Sequence, residues 1–99
     1  MANYIFTNKA VEDLTNIWNY TFDVWSENQA DKYYELIIVA CEELAEEKLC
    51  GKNYPEIMQD ILGLKIGQHI IFYRKVGTQS IEIVRLLHSR MDLRNRIQE

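Results

Sequence analysis

The 99-residue chain predicts an α+β fold of order β-α-α-β-β-β that closes on a short terminal helix. Three observations carry this. Apolar residues recur at three- and four-residue steps up to about residue 49, and they alternate at two-residue steps from about residue 61. Between the two regimes lies the one loop-like stretch of the middle, with Asn53, Tyr54 and Pro55. A helical hairpin packed on one face of an antiparallel sheet accommodates both periods in a single domain spanning residues 1–99.

Ala2 to Phe6 reads as a short strand, since Tyr4, Ile5 and Phe6 favour extended backbone. Thr7 offers an N-cap to a helix over residues 8–24, whose stripe is Val11, Leu14, Ile17 or Trp18, Thr21 or Phe22, and Trp25. The aromatics Trp18, Phe22 and Trp25 are expected in the core or between helices. Ser26 followed by Gln29 is a capping box that starts a second helix after a very short link, running to about Leu49. Its stripe is Ala30, Tyr33, Ile37, Ala40 or Cys41, and Leu44, with the glutamates Glu42, Glu43, Glu46 and Glu47 on the wet face and Gly51 in the left-handed closing position. Residues 62–66, 69–76 and 81–88 are β-branched or aromatic runs separated by Gly67-Gln68 and by Gly77 to Ser80, which makes a three-stranded meander. Ser89 onward reads as the short helix.

In the middle strand Ile70 and Phe72 oppose Ile71 and Tyr73. In the last, Ile81, Ile83 and Leu87 oppose Val84 and Leu86. Both faces of the sheet are therefore apolar, and one hairpin covers only one of them. The terminal segment or a partner protein is expected over the second, with the first strand and its Ile5 covering part of it.

Size scaling lets a chain of this length bury roughly 65% of its surface, enough for a modest core. Apolar content of 47% and charged content of 26% exclude disorder and fibrous classes. No run approaches the roughly 18 apolar residues of a bilayer span, and Met1 to Phe6 shows no secretory leader, so a cytoplasmic location is expected. Cys41 and Cys50 then read as reduced thiols, and with His69 and His88 lacking paired ligand spacing no metal is implied. No phosphate-cradling glycine loop, carboxylate pair or nucleophile beside a base appears, so no cofactor is implied either.

Net charge is −4, but its distribution is uneven: residues 1–61 sum to −8 and residues 62–99 to +4. A basic end on an acidic protein points to an acidic partner or substrate there. Arg74, Arg85, His88, Arg90 and Lys65 are the candidate target-binding residues. Arg85 could instead bond a backbone carbonyl or a helix carboxylate such as Asp13.

The run Gly67 to Arg74, reading GQHIIFYR, followed by Ile83 to Asp92, reading IVRLLHSRMD, resembles the ParE toxins of bacterial toxin–antitoxin modules. So do Glu12-Asp13-Leu14, Ile17 to Thr21, Trp25, Gln29-Ala30 and Tyr33 on the two helices. The resemblance covers nearly the whole chain in order. It implies the RelE/ParE fold, a toxin that poisons DNA gyrase through the A subunit, and a ParD-like antitoxin that neutralises it in a hetero-oligomer. The same fold also carries ribosome-dependent mRNA interferases, in which case Arg74 and Arg85 would clamp a phosphate, with Lys65 assisting, and His88 or Tyr73 would shuttle a proton. An acidic chain disfavours docking on ribosomal RNA. A degenerate toxin that only binds its antitoxin is the third reading.

Overall fold

The structure, a computed structural model, describes residues 2–90 and 92–97. Met91, part of the second family-like run, lies outside the described residues. Strand β1 (Asn3–Phe6) leads through Thr7 into α1 (Asn8–Val24), and α2 (Glu27–Ala45) follows at once. Then come β2 (Lys52–Asn53), β3 (Leu62–Ile66), β4 (His69–Gly77), β5 (Ser80–His88) and α3 (Leu93–Ile97). The strands form one sheet in the order β1-β5-β4-β3-β2. No helix among the described residues is long and apolar enough to cross a membrane.

The two helix starts follow their caps. Thr7 Oγ1 accepts the Ala10 amide at 3.0 Å, and Ser26 Oγ accepts the Gln29 amide at 3.1 Å. The end of α2 departs from expectation, because the helix stops at Ala45 and Glu47, not Gly51, takes the left-handed position with φ 64°. The Lys48 amide reaches back to the Glu43 carbonyl and the Glu47 amide to the Leu44 carbonyl, a Schellman closure built on a glutamate. Gly51 serves close approach instead: a Cβ there would lie 2.7 Å from the Gly63 carbonyl oxygen and 2.8 Å from the Tyr73 hydroxyl.

The sheet is mixed, where a purely antiparallel one was expected. β1 runs parallel to β5, pairing Asn3 with Ser80 through Phe6 with Ile83, while the other neighbours are antiparallel. The expected loop after α2 also contains β2, two residues that add an edge to β3. β1 lies within the sheet and so does not cover its second face; Ile5 is 56% exposed.

A bulge in β5 corrects the expected assignment of faces. Phe72 pairs with Arg85 but Tyr73 with Ile83, so Val84 is an extra residue and the alternation slips by one. Leu86 consequently joins Ile81 and Ile83 on the helix-covered side with Ile71 and Tyr73, and Leu87 joins Ile70 and Phe72 on the other. On the helix side these residues meet Ala10, Ile17, Ile37, Cys41 and Leu44.

The second face is closed by the chain itself. Tyr54, Ile57, Met58 and Ile61 from the segment before β3, with Leu93 and Ile97 of α3, pack on Ile70, Phe72 and Leu87. Arg94 of α3 donates to the Glu56 carbonyl and fastens the two covers together. At about 25 cal/mol per Å² of apolar area buried, this second small core adds to the stability of the fold, and it is the chain's own segments that cover this face.

Most of the large apolar side chains that stay exposed lie on the helices. The inward face of α1 is Ala10, Ile17 and Thr21, which resolves the two open positions of the expected stripe to Ile17 and Thr21 and puts Ala10 in place of Val11, because Thr7 and Asp13 anchor that side to β5. Trp25 is 72% and Phe22 44% exposed, against the expectation of core packing. Phe22 stacks on Trp18 at 5.3 Å between centroids, on the outer surface. Cys41 is a buried free thiol that burial pushes up to about 12, with Glu42 as second cause, and Cys50 is an exposed one.

Candidate functional site

β1 pairs with β5 only as far as Ile83, so the rest of that edge needs other partners. Helix α1 supplies them. Thr7 donates its amide to the Ile83 carbonyl at 3.0 Å and its hydroxyl to the Val84 carbonyl at 2.8 Å. Asp13 Oδ2 accepts the Leu86 amide at 3.0 Å. The same carboxylate receives Arg85 in a bidentate pair, Nε to Oδ2 at 2.7 Å and Nη2 to Oδ1 at 2.9 Å. Arg85 Nη1 then donates to the Arg96 carbonyl on α3. Arg85 thus bonds both a backbone carbonyl and the carboxylate of Asp13, and it ties α1, β5 and α3 together from a side chain only 8% exposed.

Above this tie a cleft of about 1050 Å³ opens between α1 and the paired ends of β4 and β5. It is lined by Tyr20 and Trp25 at the α1 side, by Tyr33 of α2, by His69 and His88 of the two strands, and by Arg90 and Arg96 beyond them in the chain. His69 faces His88 across the β4–β5 ladder, with ring centroids 5.3 Å apart and planes at 78°.

Hydrogen bonding holds both rings by their Nδ1 atoms. The Tyr33 hydroxyl accepts the Gln68 amide at 3.1 Å and lies 3.1 Å from the Ile66 carbonyl and 2.7 Å from His69 Nδ1. A phenol has one hydrogen. It goes either to the Ile66 carbonyl or to His69 Nδ1, and in both cases Nδ1 of His69 is taken and Nε2 is left for another partner. His88 is held by the same ring atom. Its Nδ1 accepts the Arg90 amide at 3.1 Å, so the neutral ring carries its hydrogen on Nε2. No buried side-chain nitrogen or oxygen among the described residues lacks a partner, so the two unbonded Nε2 atoms face solvent. The cleft therefore presents two ring nitrogens, one of them the donor His88 Nε2–H.

Electrostatics hold this pattern. Burial, with His88 as second cause, pushes the His69 imidazole down from 6.5 to about 4, while Asp13 acts the other way. His69 stays neutral at physiological pH. Burial likewise raises the Tyr33 phenol, against the backbone amides of Gln68 and His69. Gly67 makes room for this phenol: it adopts φ 57°, and a Cβ there would stand 2.7 Å from the Tyr33 ring.

The structure gathers some of the sequence-predicted residues and separates others. Arg85, His88 and Arg90 line the cleft. Arg74 lies toward the other end of β4, where its guanidinium pairs with Glu82 at 2.7 Å on the exposed surface. Lys65 is exposed on β3, opposite Ile70. Tyr73 is buried in the helix-side core, and its hydroxyl accepts the Gly51 amide at 2.8 Å; burial raises this phenol too. His69, Tyr33 and Arg96 were not among the site candidates. For His69 a signal existed, since a two-residue turn at Thr78-Gln79 registers it directly opposite His88.

With the fold and the cleft in place, the chain can be compared with known proteins. Residues 4–93 match the family model described as the ParE toxin of the type II toxin–antitoxin system parDE. Toxin ParE1 of Mycobacterium tuberculosis (strain H37Rv) is 34% identical over 92 residues, covering 93% of this chain and 94% of the relative. Toxin ParE1 of Caulobacter vibrioides is 32% identical over 94 residues, covering 95% and 96%. Among solved structures, a chain of the chromosomal ParDE system from P. aeruginosa superposes with a TM-score of 0.71 at 21% identity, covering 89% of this chain and 95% of that one. A family match across both helices, the whole meander and the cleft they form places this chain among the ParE toxins of type II toxin–antitoxin systems.

Proposed function

We propose that this toxin inhibits DNA gyrase in the cytoplasm and is neutralised by a ParD-like antitoxin. The family match over residues 4–93 carries the reading. The state of Arg85 supports gyrase over a nuclease target. The residues that a ribonuclease reading would recruit do not converge: Arg85 is neutralised by Asp13, Arg74 by Glu82 at a distance, and Tyr73 is committed to the core. A phosphoryl-transfer site needs such groups gathered and aimed at the developing charge. The net charge of −4 also disfavours docking on ribosomal RNA.

In this reading His88 and Arg90 meet the target, and Arg85 positions the strand that carries them. Arg74 and Lys65 are further contacts on the sheet. The antitoxin takes the outer faces of α1 and α2, where Val11, Phe22, Tyr34, Leu36 and Val39 are exposed.

Purified toxin is expected to block supercoiling by gyrase and to accumulate cleaved DNA, while leaving ribosome-bound message intact in a translation extract. The Arg90→Ala variant is expected to weaken that block and to remain folded, since Arg90 contributes its backbone amide, not its side chain, to His88. Cleavage of message with normal supercoiling would transfer the function to the ribosome. Antitoxin binding with neither activity would identify a degenerate toxin.

A further inference from the structure

The cleft holds features that inhibition of a protein target does not require. Its wall carries two aromatic side chains held out of the core, Trp25 at 72% and Tyr20 at 66% exposed. The exposed Arg90 lines the same cleft, as do His69 and His88, each with Nδ1 bonded and Nε2 left for another partner. Flat aromatic faces, a cationic group and hydrogen-bonding ring nitrogens are the three elements by which proteins hold an unstacked nucleotide. The remaining charge does not oppose this, because Asp13, the carboxylate lining the cleft, is spent on Arg85.

We propose that the cleft binds one unpaired nucleotide of a DNA strand, its base against Trp25 and Tyr20 with its edge toward His69 and His88, and its phosphate on Arg90. The choice of DNA over RNA rests on the gyrase reading, since a gyrase complex holding cleaved DNA offers strand ends and unpaired bases. Every base edge presents a donor beside an acceptor, so the site is expected to accept all four bases with little preference.

The experiment uses the full-length toxin and three fluorescein-labelled probes of one mixed 12-nucleotide sequence: single-stranded DNA, the same DNA as a blunt duplex, and single-stranded RNA. Fluorescence anisotropy should show the single strand of DNA bound at least about tenfold more tightly than the duplex, the scale set by one stacked base. Trp25→Ala should weaken binding by about tenfold. Arg90→Ala should weaken it and lower the slope of log affinity against log salt by about 0.7, the amount for one phosphate on a single strand. Lys75→Ala removes one positive charge about 20 Å along β4 from His69 and should change neither quantity. Circular dichroism checks that each variant is folded.

Equal affinity for duplex and single strand, or a loss with Lys75→Ala as large as with Arg90→Ala, would overturn the proposal in favour of diffuse electrostatics. So would tighter binding of RNA than of DNA. A supercoiling assay on the same preparations separates this idea from the one it builds on. Inhibition of gyrase without single-strand binding refutes the cleft proposal alone, and binding without inhibition refutes the gyrase reading alone.

Discussion

Replacing Asp13 with alanine removes one carboxylate and strands two groups at once. The Arg85 guanidinium, with 8% of its side chain exposed, loses both bonds of its bidentate pair, and the Leu86 amide loses its acceptor at 3.0 Å. Removing one partner of a buried pair costs about 3–5 kcal/mol, largely as the penalty of an uncompensated charge, and the stranded amide belongs to the same loss. We expect about 4 kcal/mol. Against a total stability of roughly 5–15 kcal/mol this is severe, and at about 4 °C per kcal/mol for a domain of this size it lowers Tm by about 16 °C. Urea denaturation followed by far-ultraviolet circular dichroism measures it, with an unchanged m-value showing that the native state is otherwise intact. The companion variant D13L/R85M replaces both charges by apolar groups of similar reach and should cost less than D13A, because no charge is left behind. A loss under about 1 kcal/mol for D13A, or a double variant worse than the single, would refute the view that this pair bolts α1 to the strand edge.

Three further outcomes follow from other parts of the chain. His69 is depressed to about 4, so as pH falls from 6.5 the unfolded chain takes up this proton before the folded one; stability should fall between pH 6.5 and about 4, and H69Q should remove that part of the slope in denaturation curves taken across the window. Glu47→Gly relieves a side chain held at φ 64° and should stabilise by roughly 0.5 kcal/mol, after allowing for the greater freedom of glycine in the unfolded chain; a lower Tm would contradict this. Gly63→Ala would place a Cβ 2.6 Å from the Tyr54 ring and 3.0 Å from Ile70, overpacking the second core at a cost of about 1–3 kcal/mol, readable as a shift of the urea midpoint.

The parts of this fold that were legible in the sequence are those dictated by local chemistry. Thr7 and Ser26 marked both helix starts because capping acts over three residues, and the change of period marked the meander because pleat and helix repeat differently. The misread parts depend on contacts between distant segments. The rotation of α1 is set by Asp13 meeting Arg85 and Leu86, more than 70 residues away, whereas hydropathy alone left Ile17 or Trp18 and Thr21 or Phe22 open and included Val11 and Trp25, which are exposed. The exchange of Leu86 and Leu87 between faces comes from one extra residue, Val84, which leaves no mark in an apolar run. β2 is too short to show a period, and it exists because Gly63 and Leu62 offer it an edge. The cleft was half visible: Arg85, His88 and Arg90 stood out as charge on an acidic chain, whereas Tyr33 looked like one more residue of a helical stripe. Only its hydroxyl, meeting Ile66, Gln68 and His69, shows what it does.

The parallel pairing of β1 with β5 bears on when a newly made chain acquires its shape. Asn3 to Phe6 are made 77 residues before their partners, Ser80 to Ile83. Asp13 waits nearly as long for Arg85. The helical hairpin can form early from local contacts, but the strand edge that anchors it does not exist until β5 has been made. A chain interrupted before β5 thus lacks the strand wall of the cleft. The finished cleft surface arises only after the whole meander has been synthesised, which leaves a binding protein already present that interval in which to be in position.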